Sequence, residues 1–180
     1  AMIQKHQWNP EDIKGQVTDL RRLGPVSAMP TQQFYRAYTL ETLGFDDAAL
    51  DELNTVMKIM PDVASAYQLR GKIFGKREDH QRAFEDFRLA CVLAPEESSN
   101  WYNLALAYQN LGDVERAVEN YEVIVRVWPD EAKGYFFLAK AYALNKDYAS
   151  AVSTLGIARQ LDPRVMIDIL KIGDIIFNDG

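Results

Sequence analysis

An internal period of 34 residues constrains the fold of this chain more than any other feature. Four consecutive segments align without gaps at that shift. Two positions are invariant, occupied by Ala49, Ala83, Ala117 and Ala151, and by Pro61, Pro95, Pro129 and Pro163. A third position is always large and apolar (Leu53, Phe87, Tyr121, Leu155), and a fourth is always small (Ala37, Gly71, Ala105, Ala139). Such a period is typical of solenoids, in which each unit packs only on its neighbours.

Each unit is predicted to be a pair of helices joined by a turn. In the third unit, Trp101, Ala105 and Tyr108 lie at the spacing that places residues on one face of a helix. Gly112 supplies the turn that follows, and Pro129 ends the second helix. Small residues at the facing positions let the two helices approach closely. Because one hairpin cannot bury its apolar face alone, the units are expected to stack.

This pattern resembles the tetratricopeptide repeat family. The third unit matches the family signature at Trp101, Leu104, Tyr108, Gly112, Ala117, Tyr121 and Pro129, with Ala105 at the usual glycine position and Trp128 at a usually acidic one. The resemblance implies an all-α fold, a right-handed α-solenoid of stacked helix-turn-helix hairpins. Arg36 and Arg70 stand where the later units have leucine, so the first two repeats are expected to pack differently there.

The repeats divide the chain into three parts. Residues 1–29 form an N-terminal extension with one predicted helix, which either covers the edge of the first hairpin or folds across the groove. Four repeats follow, at 30–63, 64–97, 98–131 and 132–165.

Residues 166–180 keep the same phase and resemble the first half of a fifth repeat. This C-terminal segment is unusually apolar for a capping helix, whose outer face should be polar. Residues 165–177 are therefore expected either to continue into further repeats of a longer protein or to be buried by a partner. One such partner is a second copy of the chain, so self-assembly into a homo-oligomer is the alternative function.

In this family the first helix of each hairpin lines a concave groove that binds peptides. The resemblance places these residues in the groove: Phe34, Tyr35, Tyr38 and Glu41; Gln68, Lys72 and Lys76; Tyr102, Asn103, Leu106, Gln109 and Asn110; Lys133, Phe136, Phe137, Lys140 and Leu144. The chain carries a net charge of −6, yet these positions hold four lysines and one glutamate.

A cationic groove with exposed aromatic residues predicts a peptide ligand that has acidic and apolar side chains. The alternative is that the lysines only solvate the surface and the aromatic rings pack on adjacent helices. The sequence therefore predicts a non-catalytic protein-interaction scaffold.

Other kinds of function find little support. The single cysteine, Cys91, has no histidine near it in sequence and is expected to be partly buried and inert. His6 and His80 show no metal-ligand spacing and are expected to be solvated, so neither a metal site nor a cofactor is predicted. No glycine-rich phosphate loop is visible, which gives no indication of an enzyme.

The acidic balance and the 34-residue period argue against nucleic-acid binding. No apolar run approaches the roughly 18 residues that span a bilayer, so membrane insertion is not expected. A clamp for the carboxylate tails of chaperones is not predicted either, because only Asn103 and Lys133 match its five positions. With no signal peptide visible, a cytoplasmic location is expected.

Overall fold

The computed structural model describes residues 30–165, and this part of the chain is helical. Its elements are α1 (Pro30–Thr42), α2 (Asp46–Ile59), α3 (Ala64–Lys76), α4 (His80–Leu93), α5 (Ser98–Asn110), α6 (Val114–Val127), α7 (Ala132–Leu144), α8 (Tyr148–Leu161) and a 3-10 turn at Pro163–Val165. The predictions made for residues 1–29 and 166–180 concern segments outside the described residues.

The eight helices form four antiparallel hairpins that stack in chain order. Within each hairpin the two helices pack along their length, and the second helix of each hairpin then contacts the first helix of the next. The first helices also touch one another in sequence, α1 with α3 and α3 with α5. This is the α-solenoid expected from the repeat period. None of the helices within residues 30–165 has the length and apolar character that a bilayer span requires.

The turns and helix starts repeat with the sequence. Asp79, Asp113 and Asp147 lie directly before α4, α6 and α8, and each carboxylate accepts a hydrogen bond of 3.1 Å from a backbone amide in the first turn. Such capping satisfies an amide that the helix itself leaves without a partner. Gly112 in the third hairpin has a φ of 82°, which glycine adopts without steric cost. The turn predicted at this position is present.

The hairpin interface depends on small residues facing large ones. Gly71 of α3 lies against the ring of Phe87 in α4, and a Cβ atom added to Gly71 would stand 2.8 Å from Phe87 Cε1. At the equivalent position of the third hairpin, Ala105 is fully buried and Tyr121 is almost so. The helices can pack this closely only because the small residue leaves space for the ring.

An ion pair replaces apolar packing in the first two hairpins, as the two arginines suggested. Arg70 donates two hydrogen bonds to the buried carboxylate of Asp86, with Nε–Oδ2 at 2.8 Å and Nη2–Oδ1 at 2.7 Å. One repeat earlier, Arg36 forms an ion pair with Glu52 through a single contact, with Nε–Oε1 at 3.2 Å. The later hairpins have uncharged residues at both positions, Leu104 with Asn120 and Leu138 with Thr154.

Two glycines of α3 provide a matched test of this packing. We expect Gly71→Ala to lower the free energy of unfolding by about 1–2 kcal/mol, because overpacking against Phe87 outweighs the gain in helix propensity. Gly75→Ala should instead raise it by about 0.5–1 kcal/mol, since a Cβ at Gly75 meets nothing within 4 Å. Urea unfolding followed by circular dichroism measures both. Equal stability of the two variants would contradict the tight interface.

Candidate functional site

A cleft of about 430 Å³ lies where α1, α3 and α5 adjoin. Its walls come from the first helices of three hairpins, and the start of α4 contributes at its base. The lining residues are Phe34, Tyr38, Ser65, Gln68, Leu69, Lys72, Gly75, Lys76, His80, Ala83, Phe87, Asn103, Leu106, Ala107 and Asn110. Apolar side chains therefore alternate with amides and two lysines around one concave site.

The cleft brings together about half of the residues predicted for the groove. Those that line it are Phe34, Tyr38, Gln68, Lys72, Lys76, Asn103, Leu106 and Asn110. Those that do not are Tyr35, Glu41, Tyr102, Gln109, Lys133, Phe136, Phe137, Lys140 and Leu144. Tyr35 is exposed but lies outside the cleft lining. The residues outside the cleft come mainly from α7, so the cleft is a feature of the first three hairpins.

Tyr102 is a core residue, and the expectation of an exposed groove ring is wrong for it. Only 7% of Tyr102 is accessible, and its ring lies 6.5 Å from that of Tyr121 and 5.8 Å from that of Phe137. Its hydroxyl donates a hydrogen bond of 3.0 Å to Glu131, and burial raises the pKa of the phenol. A Cβ atom at Gly134 would lie 3.2 Å from this hydroxyl, so the glycine makes room for Tyr102.

The aromatic residues of α7 also pack on neighbouring helices. Phe137 stacks on Tyr121 with 5.8 Å between ring centroids and an interplanar angle of 10°. Phe136 packs edge-on against Phe137 and against the cluster formed by Ala143 and Ala151. Both phenylalanines are half-buried. Aromatic packing between helices, which the sequence left open as an alternative, accounts for these two rings.

The two remaining predicted lysines lie on α7. The Lys133 ammonium stands 4.5 Å from the centroid of the Tyr102 ring, a cation–π geometry, and the side chain is exposed. Lys140 is half-buried. Neither makes an ion pair with a carboxylate of residues 30–165.

Glu41 joins two of the cleft lysines in an ion-pair triad. Its carboxylate is 2% exposed; one oxygen lies 3.1 Å from Lys72 Nζ and the other contacts Lys76 Nζ. Burial alone would raise the pKa of Glu41, but the hydrogen bonds from Lys76 and Lys72 outweigh it and hold the pKa below its ordinary value. Of the four lysines counted at groove positions, two are therefore paired with the one glutamate, whose buried carboxylate neutralises one of their charges.

Asn100 is the residue that sequence reasoning missed. It is almost completely buried, and its amide donates hydrogen bonds to the carbonyl oxygens of Ala90 at 3.1 Å and Ala94 at 2.8 Å, at the end of α4. Its own carbonyl accepts from Gln68, which also donates to Ser99 at 2.9 Å. Asn100 therefore fixes the orientation of a cleft amide. The available signal was a polar residue at a position that the second and fourth repeats fill with Ala66 and Gly134.

His80 and Cys91 differ in how well their predictions hold. His80 is half-buried at the edge of the cleft, and its Nδ1 has no hydrogen-bond partner among the described residues, so the expectation of a solvated histidine is wrong. Cys91 packs beside Phe87 and Leu104, and burial raises the pKa of its thiol to about 12. A neutral, buried thiol is a poor nucleophile.

Within residues 30–165 no three His, Cys, Asp or Glu side chains are grouped to hold a metal ion.

The comparison with protein families agrees with the hairpin geometry. Residues 102–164, which span most of the last two hairpins, match the family model for the tetratricopeptide repeat. Residues 102–164 contain tetratricopeptide repeats. The resemblance seen in the signature positions of the third unit is thereby confirmed. No curated protein matches the chain significantly in sequence.

Solved structures with tetratricopeptide repeats have the same fold at low sequence identity. A crystal structure of MamA superposes with a TM-score of 0.72 and 19% identity, over 87% of this chain and 96% of that one. MamA from Desulfovibrio magneticus RS-1, from residue 41 to its end, gives 0.69 and 21%, over 76% and 77%. YrrB, "a TPR protein with an unusual peptide-binding site", gives 0.64 and 16%, over 83% and 74%. These similarities show the fold.

The triad predicts an acid-dependent stability. A glutamate whose pKa is lowered on folding stabilises the protein above its unfolded value of 4.5, and this contribution is lost as the pH falls through the lower folded value. We expect Glu41→Gln to cost about 1–2 kcal/mol of unfolding free energy at pH 7. The deficit relative to the wild type should shrink toward pH 3. Urea unfolding at both pH values measures it.

Glu119→Gln is the control for this measurement, because Glu119 is exposed and forms no ion pair within residues 30–165. Its stability should follow that of the wild type at each pH. A Glu41→Gln deficit that stays constant between pH 7 and pH 3 would show that the carboxylate charge does not contribute.

Proposed function

We propose that this chain is a non-catalytic protein-interaction scaffold that binds a peptide segment of a partner in the cleft between α1, α3 and α5. The observation that carries the proposal is the cleft itself, because solenoid packing does not require it. Tyr38 and Leu106 line it while remaining 53% and 41% exposed, beside the amides of Asn103 and Asn110. Exposed apolar side chains in a concave site with a few polar groups are typical of binding sites.

The side chains of the cleft are complementary to a peptide. Phe34 and Tyr38 on one wall and Leu106 on another offer apolar surface for a ligand side chain. Asn103 and Asn110 each have a donor and an acceptor, as does every peptide unit of an extended backbone. A ligand that lies along the first helices would therefore find contacts for both its side chains and its main chain.

The proposed ligand also carries acidic residues, which would bind near α7. Lys133 and Lys140 lie there without a carboxylate partner in the described part of the chain. Lys133 lies over the ring of Tyr102, whose hydroxyl donates to Glu131, so the carboxylate of Glu131 reduces the local positive charge. The fold shared with YrrB, whose description includes a peptide-binding site, is consistent with a peptide ligand.

A charge placed in the cleft tests the proposal. Peptides selected from a random phage-displayed library on the full 180-residue chain would be synthesised and their Kd values measured by fluorescence anisotropy. We expect Leu106→Asp to weaken binding about tenfold or more, because a carboxylate would be desolvated against the apolar part of the peptide.

Val127→Asp is the matched control, because Val127 is similarly exposed at the end of α6 and does not line the cleft. It should change the Kd less than about twofold, as expected for substitutions outside a binding site. If both variants bind equally well, or if only Val127→Asp loses affinity, the cleft is not the binding site.

Self-assembly is the second candidate, and α8 offers one observation in its favour. Val152, Ile157 and Leu161 of this last described helix are exposed within residues 30–165. The self-assembly hypothesis places the contact between two copies of the chain at residues 165–177. Sedimentation velocity of the chain and of an Ile172→Asp, Ile176→Asp variant separates the two functions. Under the scaffold proposal both chains sediment alike; an oligomer that dissociates only in the variant would favour self-assembly.

A further inference from the structure

We infer that the cleft accepts an uncharged, apolar peptide segment and that Glu41 excludes acidic side chains from it. This inference rests on the proposed function and names the ligand chemistry for the part of the site formed by α1, α3 and α5. It differs from the expectation drawn from residue positions alone, in which the lysines of the groove attract acidic residues throughout.

The geometry of the ion-pair triad shows that both cleft lysines are already paired. Glu41 projects from α1 while Lys72 and Lys76 lie one turn apart on α3, so a single buried carboxylate bridges to both ammonium groups, one on each oxygen. The three groups together carry one positive charge. A buried carboxylate that lost these partners would be uncompensated, which is strongly unfavourable. Lys72 and Lys76 are therefore paired with Glu41 in the protein without ligand.

A ligand carboxylate would gain little binding free energy from these two lysines. To reach Lys72 or Lys76 it would have to share the ammonium group with Glu41, and the two carboxylates would repel each other at short range. The lysines are 57% and 44% exposed, so water already solvates the parts of their ammonium groups that face away from Glu41. Replacing that water by an acidic side chain gains little, as for other solvent-exposed ion pairs.

The rest of the cleft lining suits an uncharged segment. Apart from the two lysines and His80, every side chain that lines the cleft is apolar or carries only amide or hydroxyl groups. The stem of Lys72 adds apolar surface beside Phe34 and Tyr38, because a lysine can cover a cleft wall with its methylene groups while its charge stays in water. Neutral polar groups among apolar walls complement a peptide backbone with apolar side chains.

The size of the cleft agrees with such a ligand. A volume of about 430 Å³ is near the lower end of the range for small-molecule pockets. It therefore has room for a few side chains of an extended segment rather than for a folded domain. The occupant that fits is a short stretch of a partner chain with bulky, uncharged residues.

Two matched probes test the inference. The first is a library-selected peptide without charged residues, and the second is the same peptide with Asp at the position most sensitive to Leu106→Asp. We expect the wild-type chain to bind the uncharged probe about tenfold or more tightly than the Asp probe. Binding of the uncharged probe should also change little between low and high salt, because screening acts on charged contacts.

Glu41→Gln should then reduce the discrimination. With the carboxylate gone, the two lysines are free, and the Asp probe should gain about fivefold in affinity, the upper end for an exposed ion pair. Glu52→Gln is the matched control, because it also removes the carboxylate partner of a basic residue, Arg36, but lies outside the cleft. It should leave the ratio of the two affinities unchanged.

Lys72→Gln gives a second measurement that does not depend on how well Glu41→Gln folds. It leaves the pair between Lys76 and Glu41 in place. The preference for the uncharged probe over the Asp probe should persist in this variant, because Glu41 keeps one of its two lysine partners. If the wild type instead prefers the Asp probe, and Lys72→Gln or added salt weakens that binding, the inference is overturned.

The outcomes also separate this inference from the proposed function. Library peptides whose affinity is unaffected by Leu106→Asp would show that the cleft is not the binding site, whatever their charge. Acidic peptides that are weakened both by Leu106→Asp and by Lys72→Gln would leave the cleft as the binding site and overturn only the charge preference.

Discussion

The close approach of the two helices in each hairpin is the constraint on which the rest of the structure depends. Gly71 shows it most clearly, since even one methyl group there would collide with the ring of Phe87. With a small residue at this position in every repeat, the large residue of the second helix is buried between the helices in the first three repeats and half-buried in the fourth. Each hairpin thereby becomes a unit of constant shape, and units of constant shape can stack in register.

The stacking leaves the free sides of α1, α3 and α5 next to one another, and the cleft forms there. Its polarity is set by two arrangements that cross between hairpins. Glu41 binds lysines of the next repeat, and Gln68 binds Asn100 and Ser99 of the repeat after that. Both tie the cleft lining to its neighbours. They act as structural contacts, and they also determine which hydrogen-bonding groups and charges remain available to a ligand.

The packing role was predictable for residues that have equivalents in every repeat and was not predictable for residues that do not. Ala105, Tyr121 and Pro129 have equivalents in all four units, so their packing role could be inferred from spacing alone. Tyr102 could not be assigned in this way, because its burial depends on Gly134 in the following repeat, which leaves space for the phenol. Asn100 is a similar case, since it caps α4, a helix of the preceding hairpin.

The family resemblance implied the face on which a groove would lie. The sequence by itself determined the period, the helical hairpin and the small and large positions of its interface. These follow from local spacing, because a helix repeats its side-chain directions every few residues. Only the tertiary structure decided which groove positions are open and which lysines are already neutralised. Burial and ion pairing depend on distances between residues more than 30 positions apart, such as Glu41 and Lys72, and spacing within one helix carries no information about them.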